Sequence, residues 1–542
     1  MAALRRGHSA GLLLVIICFG LAVRLYGADG MPIWIDEAYS YWSASQSWTA
    51  LWTIVPRFET HPPLFYSLVK LWLPLGDSEQ DLRLLPTLLG IMAVPLLYLS
   101  GRIVGGRACG LLAATLIACA PWQIIQAQNL RPYTLVTLAS ALVMAGALQI
   151  LNNPALAAEP LWRPAKIRIP MLAAYAALSM GLALLLWSHN LNILLCGSVG
   201  LFLLIWWHRN GRSRALLHNL LLAGLVAVLL YLPNLPSVIG QFGVVHGGWW
   251  LTPPSLPNLA AQSLELFGFP LYGSRPSVNL LFNAALLLPY AGGVILAWRT
   301  GGTNGPRRRS SISFLAACAI GPWLAAILIT FLLVPVFLDR TLTMVQVPAC
   351  LLLASAPLGL SGLSRGQRRL GQFVLFAIPV MVAIGFHLRD LRANDADRGW
   401  KDIVTAIAAN AKGTPPVFTV PNASAIPLTY YTKQLNHPLN LVPVPAPYPA
   451  PGYARYPSGN RAEPAIEPEH LAGIERVAQG RSEVWVVARA IALFDPSGSI
   501  DRLLSHRFAC RTYYYGSARQ SWMIAIRYHA KVSGQCGVAP SP

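Results

Sequence analysis

The sequence predicts an α-helical polytopic membrane protein that ends in a small α/β domain. Three observations carry this reading. Of the 542 residues, 55% are hydrophobic and only 11% charged, whereas soluble chains carry about 25% charged residues. Apolar runs of about 17–25 residues recur along the first part of the chain, the length that crosses a bilayer as a helix. Beyond about residue 389 the composition changes, with charge, Pro and Tyr increasing.

Spans are expected near 10–27, 84–100, 108–127, 132–151, 170–187, 190–207, 215–233, 277–298, 312–337, 341–361 and 371–388, each bounded by charge, Gly or Pro. The net charge of +20 could suggest nucleic acid. Its placement excludes that class, because the excess sits in short loops between spans, where Lys and Arg orient membrane helices. With the N-terminus cytoplasmic, those loops hold Arg102 and Arg107; Arg163, Lys166 and Arg168; Arg209, Arg212 and Arg214; Arg299 and Arg307 to Arg309; and Arg365, Arg368 and Arg369. The opposite short connections hold little beyond Arg131 and Arg340. About eleven spans satisfy the positive-inside bias at every loop. Arg5 and Arg6 before the apolar run from Gly11 to Val23 resemble a signal peptide, but Ala28-Asp29-Gly30 is a poor cleavage site, which favours an uncleaved anchor.

An odd span count puts two long loops, about 28–83 and 234–276, and everything after about 389 on the non-cytoplasmic side. The chain then divides into a membrane module, 1–389, and a periplasmic domain, 390–542. In the latter, Trp400 to Asn410 and Ser424 to Gln434 read as helices. Val417 to Val420, Glu483 to Ala488 and Ser521 to Tyr528 read as strands, and Val442 to Pro451 as a Pro-rich loop. Of eight cysteines, six lie in apolar spans as buried small hydrophobes. Cys510 and Cys536 stand alone in the outer domain, where an oxidising compartment would join them as a disulfide. No spacing resembles a zinc site. The first long loop is dense in aromatics (Trp34, Tyr41, Trp42, Trp48, Trp52, Phe58, Phe65 and Tyr66), which suits helices lying on the membrane surface.

The ionisable candidates cluster on the same non-cytoplasmic face. Asp36 and Glu37 follow the first span by about ten residues, and an acidic pair at a membrane surface calls for water, a partner or a reaction. His61 lies in Thr60-His61-Pro62-Pro63-Leu64. Arg83 precedes the second span, Arg131 and Tyr133 fall in Gln128-Asn129-Leu130-Arg131-Pro132-Tyr133, His189 in Ser188-His189-Asn190, and Arg340 follows Asp339. A carboxylate can remove an acceptor's proton while cations hold a departing phosphate. Each residue also has a plainer use. Arg83 can snorkel, Arg340 can pair with Asp339, His189 can bridge helices, and Glu37 can cap the helix that starts there.

The Asp-Glu pair after the first span resembles the GT-C glycosyltransferases once three further motifs join it: His-Pro-Pro-Leu about 25 residues on, Arg-Leu-Leu-Pro opening the second span, and Arg-x-Tyr opening the fourth. The nearest branch is similar to the protein O-mannosyltransferases and lipid A aminoarabinose transferases, over roughly the first 200 residues, with Phe337 to Arg340 a looser match. The resemblance implies a GT-C fold and a polyprenyl-phosphate sugar as donor. It also implies inverting transfer to an acceptor hydroxyl on a lipid, glycan or protein, at the periplasmic face of a bacterial inner membrane. Asp36 matches the carboxylate assigned to the catalytic base or to acceptor binding, with Glu37 in support. His61, Arg131, Arg340 and Arg83 are the expected ligands of the donor phosphate, and Tyr39, Tyr133 and His189 further substrate contacts. No metal or other cofactor is required. Tyr39 stands where the aminoarabinose branch has Arg, and Arg131 lacks the neighbouring Glu of many bacterial members. The rival reading is a lipid or solute transporter or flippase, which would carry ionisable residues deep within its spans and paired halves.

Overall fold

The computed structural model describes residues 2–28, 30–159, 169–246, 251–269, 275–299, 305–388, 399–516, 523–530 and 537–538. The expected domain boundary near 389, the basic loop of Arg163, Lys166 and Arg168, and Cys536 fall outside these residues. Nine described helices are long and apolar enough to cross a membrane. The chain is a multi-pass membrane protein with a sheet domain toward its C-terminus.

Every expected span overlaps helix, with 312–337 running past the end of the helix Gly305–Leu332. The first is α1 (Ala2–Leu25), whose apolar stretch, Ser9–Leu25, is shorter than the nine. The long-loop helices α2 (Ile35–Ser45), α3 (Trp48–Thr53) and α4 (Leu64–Trp72) follow. Next, α5 (Glu79–Cys119) carries two expected spans as two limbs that turn back on each other at Gly105 and Gly106. Gly106 has φ +79°, a conformation that suits glycine. The limbs approach so closely that a methyl group at Gly101 would lie 2.6 Å from the Cys109 carbonyl oxygen. Ser78 and Asp81 cap the start of α5 reciprocally, Ser78 Oγ accepting from Asp81 N (3.2 Å) and Asp81 Oδ2 from Ser78 N (3.3 Å). Arg24, fully buried on α1, donates to the carbonyls of Ile117 and Ala118 in the last turn of α5 (3.0 and 2.7 Å) and so serves a helix end.

The short α6 (Pro121–Ala127) leads through the 128–132 turn into α7 (Tyr133–Asn152). This is the central span, 83% buried over its apolar window against 17–22% for Arg365–Phe386, Arg214–Ile239 and Ser277–Arg299. The outer helices leave Leu201, Leu225, Leu281 and Phe373 exposed, the surface that lipid covers. Small residues let α7 meet the helix Ile169–Ser188, since a methyl at Gly146 would lie 2.5 Å from the Ala174 carbonyl oxygen.

The C-terminal unit holds a six-stranded mixed sheet, β1 (Pro416–Val420), β2 (Asn440–Pro443), β3 (Glu483–Arg489), β4 (Cys510–Tyr515), β5 (Met523–His529) and β6 (Gly537–Val538), in the order β2-β1-β3-β5-β4-β6. β1 pairs in parallel with β2 and β3, and β5 runs antiparallel between β3 and β4. Both faces are covered. Phe418, Val484 and Val486 pack toward helices Pro468–Ala478 and Ser499–Arg507. Val417, Trp485 and Val487 pack toward helices Trp400–Asn410 and Ala425–Gln434. Continuous apolar runs in β1 and β3 follow from that two-sided burial. β2, β4, β6 and the two helices Pro468–Ala478 and Ser499–Arg507 are additions to the sequence expectation. The Pro-rich segment read as loop begins inside β2, where Pro443 is tolerated because β2 is an edge strand. Cys510 is disulfide-bonded.

The second cluster is continuous with the first long loop, joining Trp400, Tyr430 and Tyr431 to Ile33, Ala38, Phe65 and Val69. Polar bonds cross the same seam. Ile33 N donates to the Tyr431 hydroxyl (2.7 Å), which donates in turn to Glu79 Oε1 (3.2 Å), and Lys433 Nζ meets Asp77 Oδ2 at 2.5 Å. Tyr431→Phe strands the Ile33 N–H in a buried seam, a loss of about 1–3 kcal/mol. Hydrogen exchange should then show faster exchange across 30–40; unchanged protection there would mean that the seam is held by apolar packing alone.

Candidate active site

α2 has no Ser, Thr, Asp or Asn at its N-cap. Glu37 instead reaches back, its Oε2 accepting from Trp34 N at 3.3 Å. The same carboxylate is clamped by Arg83 from the first turns of α5, with Nε to Oε1 at 2.9 Å and Nη2 to Oε2 at 2.8 Å, and Oε1 also accepts from Leu130 N at 3.0 Å. Glu37 is fully buried and Arg83 1% exposed. The remaining Arg83 donors go to the carbonyls of Ala28 (2.8 Å), Met31 (2.5 Å) and Pro32 (3.2 Å). All five guanidinium N–H groups are therefore taken. Arg83 thus has no donor left for a phosphate, which corrects its expected place among the phosphate ligands, while Glu37, expected to support Asp36 or cap the helix, caps and fixes α2.

One residue earlier, Asp36 points the other way. Its Oδ2 lies 3.7 Å from Arg340 Nη1, both side chains partly open (21% and 27%). Arg340 stacks over Trp34 at 5.6 Å from the ring centroid, and the Trp34 indole donates to Asn129 Oδ1 at 2.7 Å. Asp339 accepts the Arg340 backbone N–H at 2.5 Å while the guanidinium reaches Asp36, so the pairing of neighbours open in the sequence is not the main one. The Asp339 carboxylate instead faces Glu265, whose pKa is pushed up to about 8 by burial and by that negative neighbour.

Behind this edge lies a buried polar group built on Arg131. Its Nη1 donates to the Asp36 carbonyl oxygen (3.2 Å) and Ser40 Oγ (3.4 Å), stands 3.8 Å from Glu59 Oε2, and its Nη2 is 3.1 Å from His61 Nδ1. Glu59 Oε1 is the nearer neighbour of His61 Nδ1, at 2.8 Å, and accepts from Thr60 N at 2.9 Å. Burial would raise the Glu59 pKa, but Arg131 and His61 hold it down at about 2. Burial and Arg131 lower that of His61. The His189 ring stands edge-on to His61 with centroids 4.9 Å apart, and its Nδ1 accepts from Leu191 N at 3.1 Å, which leaves the proton on Nε2. Burial, then His61 and Arg131, keep His189 well below the usual imidazole range. Tyr133 closes the group, 6.2 Å from His61.

Tyr39, one turn beyond Asp36 on α2, donates to Glu463 of the C-terminal unit and packs on Tyr448 at 5.4 Å. Burial and Asp36 push the Glu463 pKa up to about 7 against the pull of Arg489. Thus Asp36, His61, Arg131, Tyr133, His189 and Arg340 come together, Glu37 and Arg83 stand behind them, and Tyr39 joins the C-terminal unit. Glu59, Glu265 and Glu463 were missed. Glu59 was within reach, two residues before His61 in the motif loop, whereas nothing local marks the other two. Among the described residues, one group of three could hold a metal ion, Glu467, Glu469 and His470. Two of these cap a helix, since Glu467 N donates to His470 Nδ1 at 3.0 Å.

No protein-family profile matches the chain, and neither does any curated protein. Solved structures do. ArnT from Cupriavidus metallidurans in the apo state is 14% identical, over 97% of this chain and 100% of that one, with a TM-score of 0.63. The same protein bound to undecaprenyl phosphate is 16% identical over 97% and 99%, at 0.60. The oligosaccharyltransferase AglB from Archaeoglobus fulgidus, in complex with an inhibitory peptide and a dolichol-phosphate, is 12% identical over 96% and 75%, at 0.50. The chain shares the fold of these structures.

Removing one member of a buried ion pair costs about 3–5 kcal/mol, while replacing both by apolar groups is often neutral. Arg83→Met should therefore lower the melting temperature steeply, and Glu37→Met with Arg83→Met should recover much of the loss. An Arg83→Met protein that melts normally but no longer binds undecaprenyl phosphate would return Arg83 to the phosphate ligands.

Proposed function

We propose that the chain is an inverting glycosyltransferase that moves a sugar from a polyprenyl-phosphate donor to an acceptor hydroxyl, at the periplasmic face of a bacterial inner membrane. The observation that carries this reading is the opposition of Asp36 and Arg340 at 3.7 Å on the open edge of the polar group. A base and a cation facing one gap are what an in-line displacement from phosphate requires. The acceptor hydroxyl attacks the anomeric carbon, and Asp36 takes its proton. The bond from that carbon to the phosphate oxygen breaks, and its electron pair leaves on the phosphate. Arg340 meets the charge that develops there, with Arg131 and His61 adding positive potential and polar contacts from behind. Arg suits this task because its planar fork matches two phosphate oxygens at once.

Two further lines support the reading. ArnT, of similar fold, has been captured with undecaprenyl phosphate and AglB with a dolichol-phosphate, both lipid carriers of the class proposed here. By alternation of the spans, the basic short loops fall opposite the long loop that holds Asp36 and His61, the arrangement of a site that faces away from the cytoplasm. Ionisable groups gathered at one end of the spans favour transfer over passage through the bilayer, which needs them along a path.

Asp36→Asn keeps size and hydrogen bonding but cannot take a proton. With a purified protein and a panel of polyprenyl-phosphate sugars, transfer should fall about 10²–10⁴-fold while binding of undecaprenyl phosphate stays intact. Near-normal turnover would move the base elsewhere.

A further inference from the structure

Three buried polar atoms around Arg131 have no hydrogen-bond partner: His61 Nε2, Arg131 Nε and the Tyr66 hydroxyl. His61 lies 3.1 Å from Arg131, and Tyr66, on the helix that follows the His61 motif, is near enough to feel the Arg131 charge. Buried polar atoms are nearly always paired, so these three are available to a polar ligand that reaches them. The donor phosphate, with oxygens that accept several bonds at once, fits a guanidinium N–H and a hydroxyl directly.

It does not fit the third atom as it stands. His61 Nδ1 has two neighbours, Glu59 Oε1 at 2.8 Å and Arg131 Nη2 at 3.1 Å. Only the carboxylate can accept its proton, and it is the closer. The Nδ1–H therefore belongs to Glu59, and in the neutral ring Nε2 bears a lone pair. A lone pair repels phosphate oxygens, which carry no proton to give. A second proton on the ring turns the same atom into a charged donor.

We propose that His61 meets the donor phosphate as the imidazolium, taking up a proton when the phosphate arrives, with Glu59 as the positioning residue that holds Nδ1–H and faces the added charge. This rests on the phosphate site proposed above. The groups around His61 favour such a switch. Burial and Arg131 oppose a charge on it, Glu59 and Asp36 favour one, the neutral His189 and Tyr133 stand edge-on to the ring, and burial keeps the Tyr66 hydroxyl protonated. A bound phosphate offsets Arg131 and tips the balance. The chemistry gains as well. As the bond to the anomeric carbon breaks, its electron pair raises the phosphate from one negative charge to two, and the Nε2–H bond strengthens with it. The acceptor's proton still goes to Asp36, and the ring returns its extra proton to solvent when the lipid phosphate leaves. An interaction that grows toward the transition state accelerates the step, not just the binding.

The test is calorimetric titration of undecaprenyl phosphate into the full-length protein. It is run at about pH 8, above a phosphomonoester's second pKa of about 6, in buffers of different ionisation enthalpy. The unmodified protein should take up close to one proton per lipid bound. His61→Gln should take up none and bind roughly tenfold to a hundredfold more weakly, as befits loss of a charge-assisted bond. Glu59→Gln should lose most of the uptake, Glu59→Asp should restore part of it, and the pH profile of transfer should move with the uptake. Binding with no proton taken up, or uptake that persists in His61→Gln, overturns the inference and leaves the phosphate site standing. Failure of the unmodified protein to bind the lipid at all overturns the site itself.

Discussion

The site depends on one buried ion pair. Glu37 and Arg83 lie 46 positions apart on different helices and meet out of water with every guanidinium donor filled. Such a pair contributes little net stability, because the desolvation of both charges offsets their attraction. What it fixes is position. The carboxylate ties the start of α2 to the first turns of α5 and to the backbone of Leu130, and the guanidinium gathers the carbonyls at 28–32. With α2 held on that side, Asp36 has only the open side to face, and Arg131 is brought under the same helix, donating to the Asp36 carbonyl oxygen.

The cations of the site consequently divide by surroundings. Arg83 is consumed by structure. Arg131, 4% exposed, holds α2 and the motif loop in register while one donor remains without a partner. Arg340 is the most open of the three and lies opposite Asp36. The C-terminal unit takes part as well: Glu463, held by Tyr39, stands close enough to Asp36 for that charge to raise its pKa. A continuous apolar seam joins that unit to the first long loop, so the sheet domain and the wall beside Asp36 share one packed core.

Much of this was legible in the sequence, for identifiable reasons. Hydropathy placed the expected spans on helices because a bilayer imposes one length, and the turn at Gly105 and Gly106 was implied by two apolar runs flanking Arg102 and Arg107. The helix Trp400–Asn410 and strands β1 and β3 were legible because both are strongly patterned. β2 was not, being a short edge strand at the start of a Pro-rich segment. Among site residues, Asp36, His61, Arg131 and Arg340 stood out as charge where charge is costly. Their partners did not. That Arg83 would choose Glu37, that Arg340 would prefer Asp36 to its own neighbour, and that Glu463 would arrive from the far end of the chain are facts of tertiary packing. Glu59 is the exception, since its spacing from His61 already allowed a carboxylate to orient an imidazole.

We place a lipid-linked phosphate at the open end of this polar group, between Arg340 and the Arg131–His61 pair. The most direct measurement is an electron cryomicroscopy structure of the protein in lipid nanodiscs with undecaprenyl phosphate. The account predicts phosphate density within hydrogen-bonding reach of Arg340, Arg131 Nε and His61 Nε2, beside but not upon Asp36, with Glu37 and Arg83 still paired. Phosphate density elsewhere, or an Arg83 that leaves Glu37 to meet it, would contradict the account.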